Sequence, residues 1–394
     1  MSDSVVIVSA TRTPMGALNG NFKNTASPEL GACAIRGALD KISDKLDSNC
    51  IDQVLMGCVL SAGLGQSGAR QASIKGGIPD SVPCTTINKV CASGMYSIIA
   101  GTNAILAGDS EIVVAGGMEN MTMAPYILPK ARGGYRFGHG TLIDHMVCDG
   151  LENSFDHALM GLLAENAAKK YDLTREQQDE YALKCFQKVF KAYEDGAFTN
   201  EITPVTIQDK KSTIEISKDE APFGVNLDKI PTLKPAFAKD GTITAASSSS
   251  IADGAAALVL MSEKKAQSLG IQPIARIVAN ACHAQDPAYF ATAPVDAISK
   301  VLAKSGWSAK DVDIYEINEA FAVVAMSAIK AFDIDESLVN IFGGACALGH
   351  PLGASGARIV VTLLNALKSK NKQKGLATLC VGGGEGVAIT LEMM

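Results

Sequence analysis

At 394 residues the chain is long for one hydrophobic core, so two or three subdomains are expected. Hydrophobic residues make up 47% and charged residues 19%, with a net charge of −6 and a pI near 5.5. This balance argues against nucleic acid or an anionic membrane surface as the main partner, and no unbroken apolar run reaches the roughly 18 residues of a membrane span.

In chain order, VVIVSA opens as a buried strand, ELGACAIRGALDKI has helical periodicity, and QVLMGCV is strand-like again. NKVCASGMYSIIAG then begins a helix. Met95, Ile98, Ile99, Ile105 and Leu106 suit its inner face, Gly108 ends it, and EIVVAGG is the next strand. Strands alternating with helices imply parallel strands covered by helices. From about 121 to 250 the texture changes to polar and loop-rich, which reads as an inserted subdomain. ALMGLLAENAAKKYDL is a helix within it, and Thr174 with Gln177 has the spacing of a capping box ahead of the next. Towards the C-terminus HPLGASGARIVVTLLNALKSK gives a turn and an amphipathic helix, and GLATLCVGGGEG gives a strand ending in glycines. Both ends of the chain therefore read as polar elbow, helix, buried strand and glycine cluster, favouring two related α/β halves.

The ten cysteines, at 33, 50, 58, 84, 91, 148, 185, 282, 346 and 380, form no CxxC pair. Scattered thiols in a large chain, with no secretory or transit pattern at the start, suggest a reduced, cytoplasmic protein. For most of them the plain reading is a small buried hydrophobe. The five histidines, at 139, 145, 157, 283 and 350, make no HExxH or other metal spacing, so no metal is expected. His350 stands apart, between glycines that allow close backbone approach and a proline that fixes a turn. So presented, an imidazole can shuttle protons near neutral pH. Cys91 sits where a strand turns into a helix, with small residues behind it. The free amides of a helix start are expected to favour its thiolate and lower its pKa, and the tight turn has the logic of a nucleophile elbow. Cys380 lies at the C-terminal end of a buried strand, where parallel-sheet proteins place active groups, followed by glycine amides suited to an oxyanion. Asn318, in EINEAFA, reads in isolation as a helix cap.

Together NKVCASGM, GGMENMTMAPY, EINEAFA, GGACALGHPLGASGAR and CVGGGEG resemble, in order and spacing, the motifs of the thiolases, and within them the acetyl-CoA C-acetyltransferases. The resemblance runs from Val5 to Leu391. It implies two similar βαβαβαβαββ halves in a five-layer αβαβα core with an inserted loop domain. The implied division is residues 1–120 with 251–272 for the first half, 121–250 for the insert, which would bind coenzyme A and make oligomer contacts, and 273–394 for the second half. By resemblance Cys91 is the nucleophile that carries the acyl group, and His350 activates it and serves an oxyanion hole. Cys380 is the acid/base for the second acetyl-CoA, Asn318 holds a water in the first hole, and the Gly382 amide joins that of Cys91 in a second. Met160, Phe237, Ala245 and Ser249 would line the pantetheine tunnel, with Phe321 and Phe290 close by.

The implied activity is reversible condensation of two acetyl-CoA to acetoacetyl-CoA by a ping-pong route. Coenzyme A is substrate and product rather than cofactor, and a homotetramer is the implied assembly. Some positions depart from the acetoacetyl-forming pattern. TAASSSSIADG keeps Ser249 and Asp253 but has Ser247 in place of an asparagine, and its four serines alone would read as a flexible linker. Leu159 replaces a histidine, PFG at 222–224 lacks an arginine, and Phe290 stands where many biosynthetic members have methionine. Leu159 and Phe290 keep open a degradative thiolase for longer or 2-methyl-branched 3-ketoacyl-CoA. A carrier-protein-dependent β-ketoacyl synthase would need a second matching histidine. A non-catalytic acyl-CoA carrier would not need the full set of Cys91, Asn318, His350 and Cys380.

Overall fold

The computed structural model describes residues 4–209 and 212–394; residues 1–3, in the first half, and 210–211, in the insert, lie outside the described residues. The first half opens with β1 (Val5–Arg12), the short β2 (Gly16–Ala17) and α1 (Ser27–Asp40). It continues through β3 (Gln53–Gly57), α2 (Gly68–Lys75), β4 (Cys84–Ile87), α3 (Ser93–Ala107) and β5 (Ile112–Asn120). The middle region carries the ribbon β6 (Tyr126–Ile127) and β7 (Ile143–Asp144), α4 (Met160–Lys170), α5 (Arg175–Glu194), and the hairpin β8 (Val205–Asp209) and β9 (Ser212–Ile216). The chain then returns as β10 (Ala252–Ser262) and α6 (Glu263–Ser268). The second half comprises β11 (Ala275–Ala284), α7 (Ala293–Ser305), β12 (Ile314–Ile317), α8 (Ala322–Phe332), α9 (Ala345–Leu348), α10 (Leu352–Ser369), β13 (Lys374–Val381) and β14 (Glu385–Met393).

The two halves repeat one topology. The first runs β4-β3-β5-β10-β1 across its sheet and the second β12-β13-β14-β11, with Val339 bridging in parallel to Tyr315 beyond β12 where β4 would lie. Pairing sense matches as well. β3 is parallel to β4 and β5 just as β12 is parallel to β13, and β10 is antiparallel to both neighbours just as β14 is. The sheets join where β1 pairs antiparallel with β11 (Val6↔Arg276, Ile7↔Ala275).

α1 and α2 cover one outer face, α7 covers the other, and α3 and α10 pack together in the middle, α3 against the first-half strands and α10 against strands of both halves. This is the five-layer αβαβα arrangement. The central helices are apolar for that reason: α10 is buried without interruption from Leu352 to Leu364. The stretch Val90–Ala107 has the length and hydropathy of a membrane span, but it is mostly buried inside the protein as this core helix. Two expectations fail here. The sheet is mixed rather than parallel, since β1, β10, β11 and β14 pair antiparallel with their neighbours where the chain returns directly beside a strand. The inner face of α3 is also narrower than expected. Ile105 is buried but Leu106 is 54% exposed, because a 3.6-residue period that aims 98, 102 and 105 inward turns 106 outward.

The middle region is more ordered than its composition suggests. Thr174 Oγ1 accepts from the Gln177 amide and the Gln177 side chain accepts from the Thr174 amide, the reciprocal cap expected from the sequence. The region is fastened to β1 by Arg12, fully buried, which donates to Glu201 (2.5 Å) and to both oxygens of Asp219 (2.7 and 3.0 Å).

Candidate active site

The elbow before α3 is strained. Val90 has a φ of +45°, an outlier for a β-branched residue that survives only where surroundings hold it. Asn88 Oδ1 accepts from the Val90 amide (3.0 Å), and Ser93 Oγ accepts from the Lys89 amide (2.8 Å) while donating to the Val90 carbonyl (2.6 Å). Cys91 follows directly, 7% exposed, with the Gly382 amide and its own amide bonded to its sulfur. The thiolate expected from the helix start is not the resting form. Burial outweighs those two donors, and with Glu119 also opposing negative charge the thiol pKa is pushed up to about 11. Cys91 rests protonated and needs a base.

His350 is suited to be that base. Its ring is buried, and burial, then the nearby Arg358 charge, depress its pKa to about 3, leaving it neutral. Ser355 Oγ lies 2.5 Å from Nδ1 and donates its own hydrogen to the Pro351 carbonyl at 2.9 Å. Nδ1 therefore carries the proton and Nε2 the free lone pair. That Nε2 stands 3.5 Å from Asn318 Nδ2. Asn318 Oδ1 faces Arg358 at 3.5 Å, so its amide nitrogen is the end turned to the histidine. The cap expected of Asn318 is not made: it precedes α8 by four residues, and the N-cap of α8, Phe321, makes no side-chain cap.

Cys380 is fully buried at the end of β13. Burial drives its pKa well above the ordinary thiol value, and the next contribution is the Cys91 sulfur. Gly382 abuts the elbow and α4: a Cβ there would stand 3.4 Å from Val90 Cγ1 and 3.7 Å from Met160 Sδ. The Asn318 amide donates to the Thr378 carbonyl (2.9 Å), two residues before Cys380. The starts of α3 and α10 touch through backbone, since a Cβ on Gly94 would lie 2.8 Å from the Ala357 nitrogen and 2.9 Å from the Gly353 carbonyl oxygen. Cys91, Cys380 and Gly382 are thus brought into one contact set, and His350 with Asn318 into another carried by the abutting helix.

Of the remaining predicted residues, Phe321 packs edge-on against Phe237 (5.8 Å between centroids) and Phe290 (6.3 Å). Phe237 also closes on Gly161, next to Met160. The Ser249 amide donates to the Ala320 carbonyl at 3.0 Å, tying that segment beside Phe321, while Ala245 is exposed. The four serines are not a flexible linker: Ser247 and Ser248 are buried, and both close a turn on Thr244. Phe223 is half exposed against Phe190 and Tyr193, in an aromatic group apart from Phe321. The sequence reading missed Ser355, Arg358 and Glu119. The signal for the first two was a polar residue and a cation embedded in a glycine–alanine turn. For Glu119 it was a carboxylate ending a wholly apolar strand. Among the described residues no group of three or more His, Cys, Asp or Glu side chains is placed to hold a metal ion.

Comparison with known proteins places the whole chain. The thiolase N-terminal domain family matches residues 5–264 and the thiolase C-terminal domain family residues 271–393. The chain is 48% identical to an acetyl-CoA acetyltransferase of Pseudomonas aeruginosa over 389 residues, 98% of each chain. It is also 48% identical to one of Escherichia coli over 391 residues, 99% of each. A solved structure, the acetyl-CoA acetyltransferase of Bacillus anthracis, superimposes with a TM-score of 0.96 at 41% identity, covering 100% of this chain and 99% of that one. On fold, motif geometry and these matches, the chain belongs to the thiolase family.

Proposed function

We propose that the chain is an acyltransferase that condenses two acetyl-CoA reversibly to acetoacetyl-CoA and coenzyme A, through an acetyl thioester on Cys91. The observation that carries this reading is the paired placement of two thiols: Cys91, with a glycine amide on its sulfur, and Cys380 beside it. In the first half-reaction Cys91 sulfur attacks the thioester carbon as its proton passes to His350 Nε2. The carbon–sulfur bond to coenzyme A breaks, and the departing sulfur takes that proton. In the second, the Cys380 thiol, protonated at rest, gives its proton to His350 Nε2, and the thiolate so formed takes a methyl proton from another acetyl-CoA as the carbanion attacks the acetyl carbon on Cys91. Cys91 leaves as thiolate and recovers the proton held on His350, so both thiols and the imidazole end as they began. Two thiols are needed because one cannot hold the acyl group and also accept the proton. An α-proton is weakly acidic, so the enolate oxygen must be stabilised as it forms; removing one amide donor of such a hole typically costs roughly 10²–10³ in rate. The burial that raises Cys380's proton affinity also strengthens it as a base.

Met160, Phe237, Ala245, Ser249, Phe290 and Phe321 are proposed to line the path of the pantetheine arm. Thiolysis kinetics across acetoacetyl-CoA, 2-methylacetoacetyl-CoA and longer 3-ketoacyl-CoA test the reading, which requires acetoacetyl-CoA to have the highest kcat/KM. A preference for branched or longer chains would favour the degradative alternative, and one observation keeps that alternative in play. Leu159, 44% exposed, is the N-cap of α4 immediately before Met160, and so stands near the acyl end of the site. Leu159→His is expected to move the acetoacetyl to 2-methylacetoacetyl kcat/KM ratio towards acetoacetyl-CoA by about 10-fold, the scale of one altered pocket contact. An unchanged ratio rejects Leu159 as a selector.

We also propose a homotetramer, a dimer of dimers, in the cytoplasm and in fatty acid and lipid metabolism. A reducing compartment keeps both working thiols free. For assembly, the support is an apolar group around the β6–β7 ribbon, where Tyr126, Leu128, Leu142 and Phe137 (101%) are exposed. Such clusters on an otherwise polar surface mark contact sites. Light scattering is expected to give about four times the chain mass, and a stable monomer would dispose of this assembly.

A further inference from the structure

The repeated topology places a counterpart of the catalytic set in the first half. Gly57 pairs with Gly117 at the end of β3 and β5, as Ile317 pairs with Thr378 at the end of β12 and β13. Counting on from those pairs, Cys58 corresponds to Asn318 and Glu119 to Cys380. Cys91 and His350 correspond likewise, each two residues ahead of α3 and α10. Glu119 therefore occupies the position in the first half that the proton-accepting thiol occupies in the second. It is wholly buried. Its Oε2 accepts from the amides of Val59 (2.9 Å) and Gly353 (2.8 Å), and its Oε1 from the amide of Leu60 (3.1 Å) and, more loosely, the Cys58 thiol (3.6 Å).

Gly353 lies in the first turn of α10, whose N-cap, Pro351, has no side-chain group to offer. A helix start leaves its first amides unpaired and favours a negative charge. Here the carboxylate comes from a strand of the opposite half, 234 residues away in sequence. We propose that Glu119 is a positioning residue for the reaction: it caps α10 across the two halves, fixes His350 relative to Cys91, and holds the Val59–Leu60 turn to the same point. The fixed carboxylate also sets how readily Cys91 ionises, because its charge opposes a thiolate there. The titratable groups that face it are Cys58 on the β3 side and Cys91 ahead of α3, and on β10 Asp253 pairs with the neighbouring Asn120. Burial holds the Glu119 carboxyl at about 7.

The inference rests on the thiolase reaction proposed above, and two arms separate their failures. In the first, Glu119→Gln and Glu119→Asp are compared with the unaltered protein for kcat, KM for acetyl-CoA and thermal melt. A misplaced base costs on the order of 10²-fold. That loss is expected in kcat for both variants, with KM within about 2-fold and no matching fall in melt. In the second, iodoacetamide alkylation of Cys91 is followed against pH by peptide mass spectrometry, without substrate. Glu119→Gln is expected to move the profile to lower pH, and Glu119→Asp, which keeps the charge, to leave it in place. Full kcat in the Asp variant overturns the inference. So does an unmoved alkylation profile in a folded Gln variant, or a kcat loss that merely tracks the melt. Absence of condensation by the unaltered protein would instead sink the reaction itself, leaving the alkylation result intact.

Discussion

Cys91→Ser is expected to take up no radiolabelled acetyl from acetyl-CoA and to lose condensation and thiolysis by on the order of 10⁶, the scale seen when a covalent nucleophile is removed. The change is nearly isosteric, so the elbow and its contacts to Asn88 and Ser93 should persist and the melt should hardly move. The loss arises because sulfur is intrinsically the stronger nucleophile, and exchanging one thioester for another keeps the acyl group activated for the second step, as an oxygen ester would not. A hydroxyl in the same buried place is far less acidic, and a neutral His350 with a pKa near 3 is a weak base for it. Cys380 is not expected to substitute, since burial holds its thiol strongly protonated and on the proposed route it moves a proton rather than attacking the thioester carbon. Label recovered on Cys380, or any stable labelling of the Cys91→Ser protein, would refute the assignment.

Cys380→Ser should behave differently. On the proposed route acylation of Cys91 uses His350, so the variant is expected to be labelled to one acetyl per chain, yet to form acetoacetyl-CoA about 10³-fold more slowly, within the range for loss of a positioned acid or base. A serine hydroxyl holds its proton too tightly to collect another from carbon. Exchange of the acetyl-CoA methyl protons with deuterated solvent should fall with it, which locates the defect before carbon–carbon bond formation. Normal condensation in this variant would mean that His350 or a water removes the methyl proton, and the division of labour between the thiols would be wrong.

How much of this could be read from the sequence varied with the range of the interaction involved. Strand and helix alternation is local, and the alternating order of elements was visible from periodicity. The elbow at Cys91 was visible too, because Ala92, Ser93 and Gly94 are small. The protonation state of Cys91 was not, because it depends on how much of the molecule closes over the sulfur. The helix-start amides pointed one way and burial, a tertiary quantity, won. Arg358 was in plain sight within a motif, but its closeness to Asn318 spans 40 residues. Glu119's bond to Gly353 spans most of the chain. The four serines misled by composition, since Thr244 turns two of them into buried turn-closers. Leu106 failed for a simpler reason, one residue of helical phase.

A sulfur that waits with its hydrogen attached is chemically quiet. Peroxide and other oxidants attack thiolates, so a nucleophile held at a pKa of about 11 offers them little to seize at neutral pH. On the proposed route activation comes only when a bound thioester and a neutral imidazole draw the proton away together, so the same burial that slows ionisation would spare the nucleophile from damage between turnovers.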